Sequence, residues 1–128
     1  MPLYTVSTRA PVSDKAKAEI AMMITDEHCG PTGAPRTFVQ VFFSENVPLN
    51  PGTELHLFAS VRAGRTMQVN DNIEQAMVNR LCEITGFGVR QIETAIFGVP
   101  ASWIMEGGVI LPEPGEEAEW LKKHNHAA

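Results

Sequence analysis

At 128 residues the chain is long enough for one domain and one core, but not for two. Hydrophobic residues make up 44% and charged residues 20%, an ordinary globular balance, and the formal net charge of −5 argues against a nucleic-acid binder, whose footprint would be basic. No apolar run nears the roughly 20 residues of a membrane span, no secretory leader is legible, and Cys29 and Cys82 form one bridge at most; the expectation is a cytoplasmic chain with reduced thiols.

The chain opens with Met1-Pro2, and Leu3-Tyr4-Thr5-Val6-Ser7-Thr8 reads as a strand of aromatic and β-branched types. Ser13 is a good N-cap for a helix reaching about Cys29, with Ala16, Ile20, Met23 and Ile24 as its apolar stripe and Gly30 as its stop beside Pro31. A strongly apolar strand is expected over 37–43, then a loop over 46–52. The segment from Glu54 to Arg62 alternates Leu55, Leu57, Ala59 and Val61 with His56, Phe58, Ser60 and Arg62, as a half-buried strand does. A helix presenting Ile73, Ala76, Met77, Leu81 and Ile84 ends near Thr85-Gly86, and Gln91 to Phe97 reads as another strand. Pro100 and Gly107 bracket a short helix that places Glu106 at its C-terminus, where the dipole disfavours a carboxylate and raises its pKa. The residues from Lys122 to Ala128 read as a tag or a mobile tail, with His124 and His126 as part of it rather than metal ligands; His56 fits no pattern.

A displacement of 53 positions relates Ser7, Arg9 and Ala10 to Ser60, Arg62 and Ala63. It also pairs Ile20 with Ile73, Cys29 with Cys82, Thr32 with Thr85 and Gly33 with Gly86, without a gap. The chain therefore reads as a single α+β domain built on a duplicated β-α-β unit: repeat one over about 2–47, repeat two over about 54–100, and a C-terminal segment over 101–128. Two such units make a four-stranded sheet with both helices on one face. The strand over 37–43, with Val39, Val41 and Phe43 on one side and Phe38 and Phe42 on the other, is apolar on both sides, which points to an oligomer.

Proline at position 2 has two readings. It is harmless as a strand's first residue, where no ladder bond is lost. It is also a residue before which methionine is commonly trimmed, leaving a free secondary amine able to act as acid, base or nucleophile. Pro2, the duplicated pattern, Ile24-Thr25-Asp26-x-His28, Arg62-Ala63-Gly64-Arg65, and Glu106 followed by Leu111-Pro112-x-Pro114-Gly115-x-Glu117 together resemble the tautomerase superfamily, and within it the cis-3-chloroacrylic acid dehalogenase subgroup. The resemblance covers Pro2 to about Trp120. It implies a tautomerase/MIF-like homotrimer closed around a barrel of sheets, no metal or organic cofactor, and a site at the amino-terminal proline. It further implies antiparallel first strands, which set Arg62 and Arg65 beside Pro2.

On this resemblance Pro2 and Glu106 are the catalytic residues, and His28, Arg62 and Arg65 bind the substrate. Two guanidinium forks spaced Arg-x-x-Arg suit a planar carboxylate better than lysines do; read by position alone, surface arginines capping a helix or bridging subunits are the more common case, and the pairing with Pro2 shifts the reading to substrate binding. His28 falls on the core stripe, four residues beyond Ile24, where a histidine is more often structural. Arg9, the counterpart of Arg62, is assigned to the oligomer. The family dehalogenase pairs its glutamate with a tyrosine, where this chain has Ala95, and carries an arginine where this chain has Val109. Hydration or dehalogenation of a cis-3-haloacrylate is thereby disfavoured, and keto–enol tautomerisation of a phenylpyruvate-like 2-oxo acid is the first expectation. A non-enzymatic small-acid-binding or assembly module is the third. The partners are a small carboxylate and other copies of the chain, with neither nucleic acid nor membrane.

Overall fold

A computed structural model describes residues 1–124. Its elements in chain order are β1 (Leu3–Thr8), α1 (Asp14–Thr32), β2 (Gln40–Ser44), β3 (Leu55–Arg62), α2 (Met67–Thr85), β4 (Ile92–Val99), β5 (Met105–Glu106), β6 (Val109–Ile110) and α3 (Glu117–Lys123). The main sheet has the order β2-β1-β3-β4. β1 pairs with β2 and β3 with β4 in parallel, as β-α-β crossovers require, while β1 and β3 are antiparallel at the centre. The expected α+β architecture is the one observed.

Alternation along the strands fixes the layers. Tyr4 and Val6 of β1 and Leu55, Leu57, Ala59 and Val61 of β3 are buried against Ile20, Met23 and Ile24 of α1 and Ile73, Met77 and Leu81 of α2. The other sheet face carries the exposed rings of Phe42, Phe58 and Phe97. Thr5 stands opposite both Phe42 and Phe58, and Phe97 opposite Ser60, so the rings spread across neighbouring strands.

The two helices are ended by the same devices 53 residues apart. Ser13 and Thr66 accept through their hydroxyls from the backbone N–H of Ala16 and Val69, at 3.1 and 3.2 Å. Gly33 and Gly86 take the left-handed conformation, φ 70° and 80°, and donate to the carbonyls of Cys29 and Cys82. Thr32 and Thr85 donate their hydroxyls to the carbonyls of His28 and Leu81, and accept from Ala34 N and Phe87 N.

Four expectations are corrected. α1 runs through Gly30 and Pro31 to Thr32, because the left-handed residue that ends it is Gly33; Gly30 costs a helix only about 1 kcal/mol, and Pro31 forfeits a single amide donor in the last turn. The strand expected from Thr37 begins at Gln40, because Arg36–Phe38 form a 3₁₀ turn that rolls Phe38 into the interior. Only Phe42 is therefore the strand's outward apolar residue. Glu106 ends no helix: a 3₁₀ turn at Ala101–Trp103 gives way to the hairpin β5–β6, whose linking Gly107 and Gly108 both have positive φ, as a tight two-residue turn demands. The dipole argument for Glu106 falls with the helix. Lys122 and Lys123 belong to α3, and His124 follows it with its ring 4.8 Å from that of Trp120; residues 125–128, including His126, lie outside the described residues. The helix α3 is docked, since Trp120 donates its indole N–H to Ile110 O at 2.8 Å and meets Phe38 edge-on.

Within the chain Arg9 donates to the carbonyls of Leu49, Asn50 and Thr53 and pins the loop between the two halves.

The matched caps make a direct prediction. Ser13→Ala and Thr66→Ala each lower unfolding stability by about 1 kcal/mol, seen as a reduced urea midpoint with unchanged slope. A midpoint equal to the parent's in both variants contradicts the capping geometry.

Candidate active site

The antiparallel pairing of β1 with β3 sets Leu3 opposite Ser60. Just beyond that pair lie Pro2 and Met1 on one strand and Val61 and Arg62 on the other, at the same end of the sheet. Pro2 is buried, and its carbonyl accepts from Gln40 N at 3.0 Å. The amine of Met1 donates to Glu106 Oε1 at 2.8 Å and to Phe38 O at 3.0 Å. The β5–β6 hairpin thus delivers Glu106 to the start of the chain, although 105 residues separate Glu106 from Met1. In the chain beginning at Met1 the Pro2 nitrogen is a peptide nitrogen.

Arg62 is only 1% exposed, an unusual place for a guanidinium. The C-terminal segment supplies its surroundings. Its Nη1 donates to Pro112 O at 2.6 Å, and Glu117, itself buried, places a carboxylate oxygen 3.7 Å from Nη2. Phe38 lies beneath, its ring centroid 5.5 Å from the guanidinium carbon. Glu117 is held in turn by the backbone N–H of Gly115 at 2.6 and 3.1 Å. Past Arg62 the chain turns at Gly64, whose φ of 118° favours glycine, and brings Arg65 back alongside. Burial lowers the pKa of both arginines; the charge of Arg62 adds to the effect at Arg65, while Glu117 opposes it at each.

His28 completes the cluster from α1. Its Nδ1 lies 2.8 Å from the hydroxyl of Tyr4, with the two rings edge-on. Burial, reinforced by the positive charges of Arg65, Arg62 and the amino terminus, lowers its pKa to about 3, so the imidazole is neutral near pH 7. Burial raises the Tyr4 phenol well above its ordinary range.

Several buried polar atoms have no hydrogen-bond partner among the described residues: His28 Nε2, Arg62 Nε and Nη2, and Arg65 Nη2. Buried polar groups are rarely left so, because each forfeits its hydration without replacement. The arginine atoms are all donors, and together they would satisfy an anion with several acceptor oxygens. A groove of about 280 Å³, lined by Pro31, Thr32, Thr66, Val69 and Pro114, runs along Arg65 to solvent. Among the described residues no group of three or more His, Cys, Asp or Glu is placed to hold a metal.

The structure therefore brings Pro2, His28, Arg62, Arg65 and Glu106 to one end of the sheet. Ala95 lies in mid-β4 opposite Phe58, and Val109 pairs with Glu106 across the hairpin. Three neighbours escaped the sequence reading. Tyr4 was legible as a core-facing residue of β1, on the same layer as His28 of α1. Phe38 was hidden by the misassigned strand. Glu117 stood in the C-terminal motif with nothing in sequence to tie it to Arg62.

No protein-family model and no curated protein sequence matches the chain. Solved structures do. N1, a member of the cis-3-chloroacrylic acid dehalogenase family, is 28% identical with a TM-score of 0.87, covering 94% of this chain and 91% of its own. Native Ps01740 is 29% identical with a TM-score of 0.75, covering 82% of this chain and all of its own. F6 fused 4-OT, solved as an asymmetric trimer, is 20% identical with a TM-score of 0.76, covering 85% and 95%, and shows the fold alone. The fold and the likeness to N1 are those of the tautomerase superfamily. Within that class the chain is similar to the cis-3-chloroacrylic acid dehalogenase family.

The depressed His28 pKa fixes a pH effect. Between about pH 6.5 and 3 the unfolded chain binds a proton at His28 that the folded chain does not, so stability falls as pH falls through that window. His28→Leu, which copies Leu81 at the repeat-related position, should flatten the pH dependence of the urea midpoint there by up to one proton. An unchanged slope contradicts the burial of a neutral imidazole.

Proposed function

We propose that the chain is a cofactor-independent enzyme that uses Pro2, once Met1 is removed, as an acid/base on small 2-oxo or α,β-unsaturated carboxylates. Keto–enol tautomerisation of a phenylpyruvate-like acid is its principal reaction. The observation that carries this reading is the set of unpartnered buried donors on Arg62 and Arg65 at the sheet end where Pro2 begins the chain.

Arg65, with the free atoms of Arg62, holds the substrate carboxylate. Arg62 is already tied to Pro112 and Glu117, so it orients more than it grips, and Arg65 carries most of the binding. His28 Nε2 faces the 2-oxo oxygen. The neutral secondary amine of Pro2 removes a proton from the carbon beside the carbonyl and returns it to the enol oxygen, or runs the reverse. Apolar walls and two guanidinium groups favour the neutral amine. Glu106, bonded to the Met1 amine in the unprocessed chain, is left within reach of the new terminus and acts as the second acid/base.

Hydration or dehalogenation of a cis-3-haloacrylate is the second reading, favoured by the likeness to N1. It needs a water activated by Glu106, and the chain has Ala95 and Val109 where the family motif has tyrosine and arginine, so this activity is weak. The working form is a homotrimer in which the face bearing Phe42, Phe58 and Phe97 is covered by other copies of a domain built from repeats at about 2–47 and 54–100. It acts in the cytoplasm, in keeping with its free Cys29 and Cys82.

Pro2→Ala should lose about 10²–10⁴-fold in turnover of enolisable 2-oxo acids while staying folded by circular dichroism. Arg65→Ala should raise KM with a smaller change in kcat. Pro2→Ala as active as the parent overturns the mechanism; halide release without enol turnover reverses the order of the two reactions.

A further inference from the structure

The Tyr4–His28 pair does more than fill the core. We infer that Tyr4 is a positioning residue that locks His28 as the neutral tautomer protonated at Nε2, so that the imidazole offers an N–H rather than a lone pair to the substrate.

The geometry is that of a single proton between two atoms, Tyr4 Oη and His28 Nδ1, 2.8 Å apart and buried. Two arrangements satisfy that contact. In one, the phenol donates to Nδ1 and the ring proton sits on Nε2. In the other, Nδ1–H donates to the phenol oxygen, and the phenol proton must find a different acceptor. Tyr4 is about 2% exposed and its hydroxyl makes no other hydrogen bond among the described residues, so in the second arrangement that proton is stranded in the core. A buried donor without an acceptor is more costly than any gain from reversing one hydrogen bond. The first arrangement therefore holds. A phenol kept protonated by burial is a constant donor, and a neutral imidazole is the partner that can accept.

The consequence reaches the site. With its proton on Nε2, His28 joins Arg62 Nε and Nη2 and Arg65 Nη2 as buried donors without a hydrogen-bond partner among the described residues. A ligand that satisfies all of them carries a carboxylate for the arginines and a further acceptor oxygen for the imidazole, the pattern of a 2-oxo or 2-hydroxy acid. A 3-haloacrylate offers no such second oxygen. This inference rests on the reading of the site as an acid-binding centre, and it adds a preference within that class.

The test separates the two levels. Two-bond ¹H–¹⁵N correlation on histidine-labelled full chain reads the tautomer directly, without substrate. His28 should show the pattern of a ring protonated at Nε2 only, from pH 5 to 8. Tyr4→Phe should lose that single pattern, populating the Nδ1 tautomer. In turnover assays Tyr4→Phe should lower kcat/KM for a 2-oxo acid by about two- to tenfold and have no further effect in a His28→Gln background, where there is no tautomer to set. Nδ1 protonation or an imidazolium in the parent chain overturns the inference, whatever the activity, as does a tautomer unchanged by Tyr4→Phe. Should Tyr4→Phe not fold, the parent spectrum decides alone. If the tautomer is as stated but no 2-oxo acid is turned over, it is the enzymatic reading that fails.

Discussion

The antiparallel pairing of β1 with β3 is the constraint on which everything else rests. Parallel pairing at that position would send the amino terminus to the opposite end of the sheet from Arg62. With Leu3 opposite Ser60, the first residues of repeat one meet the last strand residues of the matching strand in repeat two. Residues about sixty apart in sequence become neighbours for the cost of a register that the core already demands, since a slip by one residue would turn Tyr4, Val6, Leu55 and Leu57 out of the core.

Onto that junction the other elements converge in layers. The helix α1 brings His28 from the core side, and the hairpin β5–β6 brings Glu106. The segment from Leu111 to Trp120 closes over Arg62, giving a buried guanidinium enough partners to be tolerated but not enough to be satisfied. A fully paired Arg62 would be a structural brace. The partial pairing, with Arg65 left open beside it, leaves buried donors of the kind an anion would satisfy, which is the basis of the proposed carboxylate site.

Much of this was legible in the sequence, for physical reasons that differ by residue. Part of the duplication showed through because helix ends are chemically demanding: Thr32 and Thr85, and Gly33 and Gly86, recur at one displacement where the same cap must be made twice. The β3 alternation was plain because one face is buried and the other is not. The misreadings also have a common cause. Phe38 was taken as strand and Glu106 as helix because apolar periodicity and a Pro–Gly bracket are weak guides over three to seven residues. In both places a 3₁₀ turn after a proline, at Pro35 and Pro100, broke the expected element. Gly107-Gly108 did announce a tight turn, and weighting it above Pro100 would have placed Glu106 on a hairpin. The contact of Glu117 with Arg62 spans 55 residues and follows no local rule.

Removal of the terminal methionine is the step the proposed site awaits, since the Met1 amine now holds Glu106 and Phe38 O next to buried Pro2 while Arg65 already lines a groove open to solvent. Calorimetric titration with benzoylformate, a 2-oxo acid with no enolisable hydrogen, tests this without turnover. The processed chain should bind one molecule per protomer with loss of affinity in Arg65→Ala, and a form retaining Met1 should bind more weakly. Equal binding by both forms, or binding indifferent to Arg65, would contradict the claim.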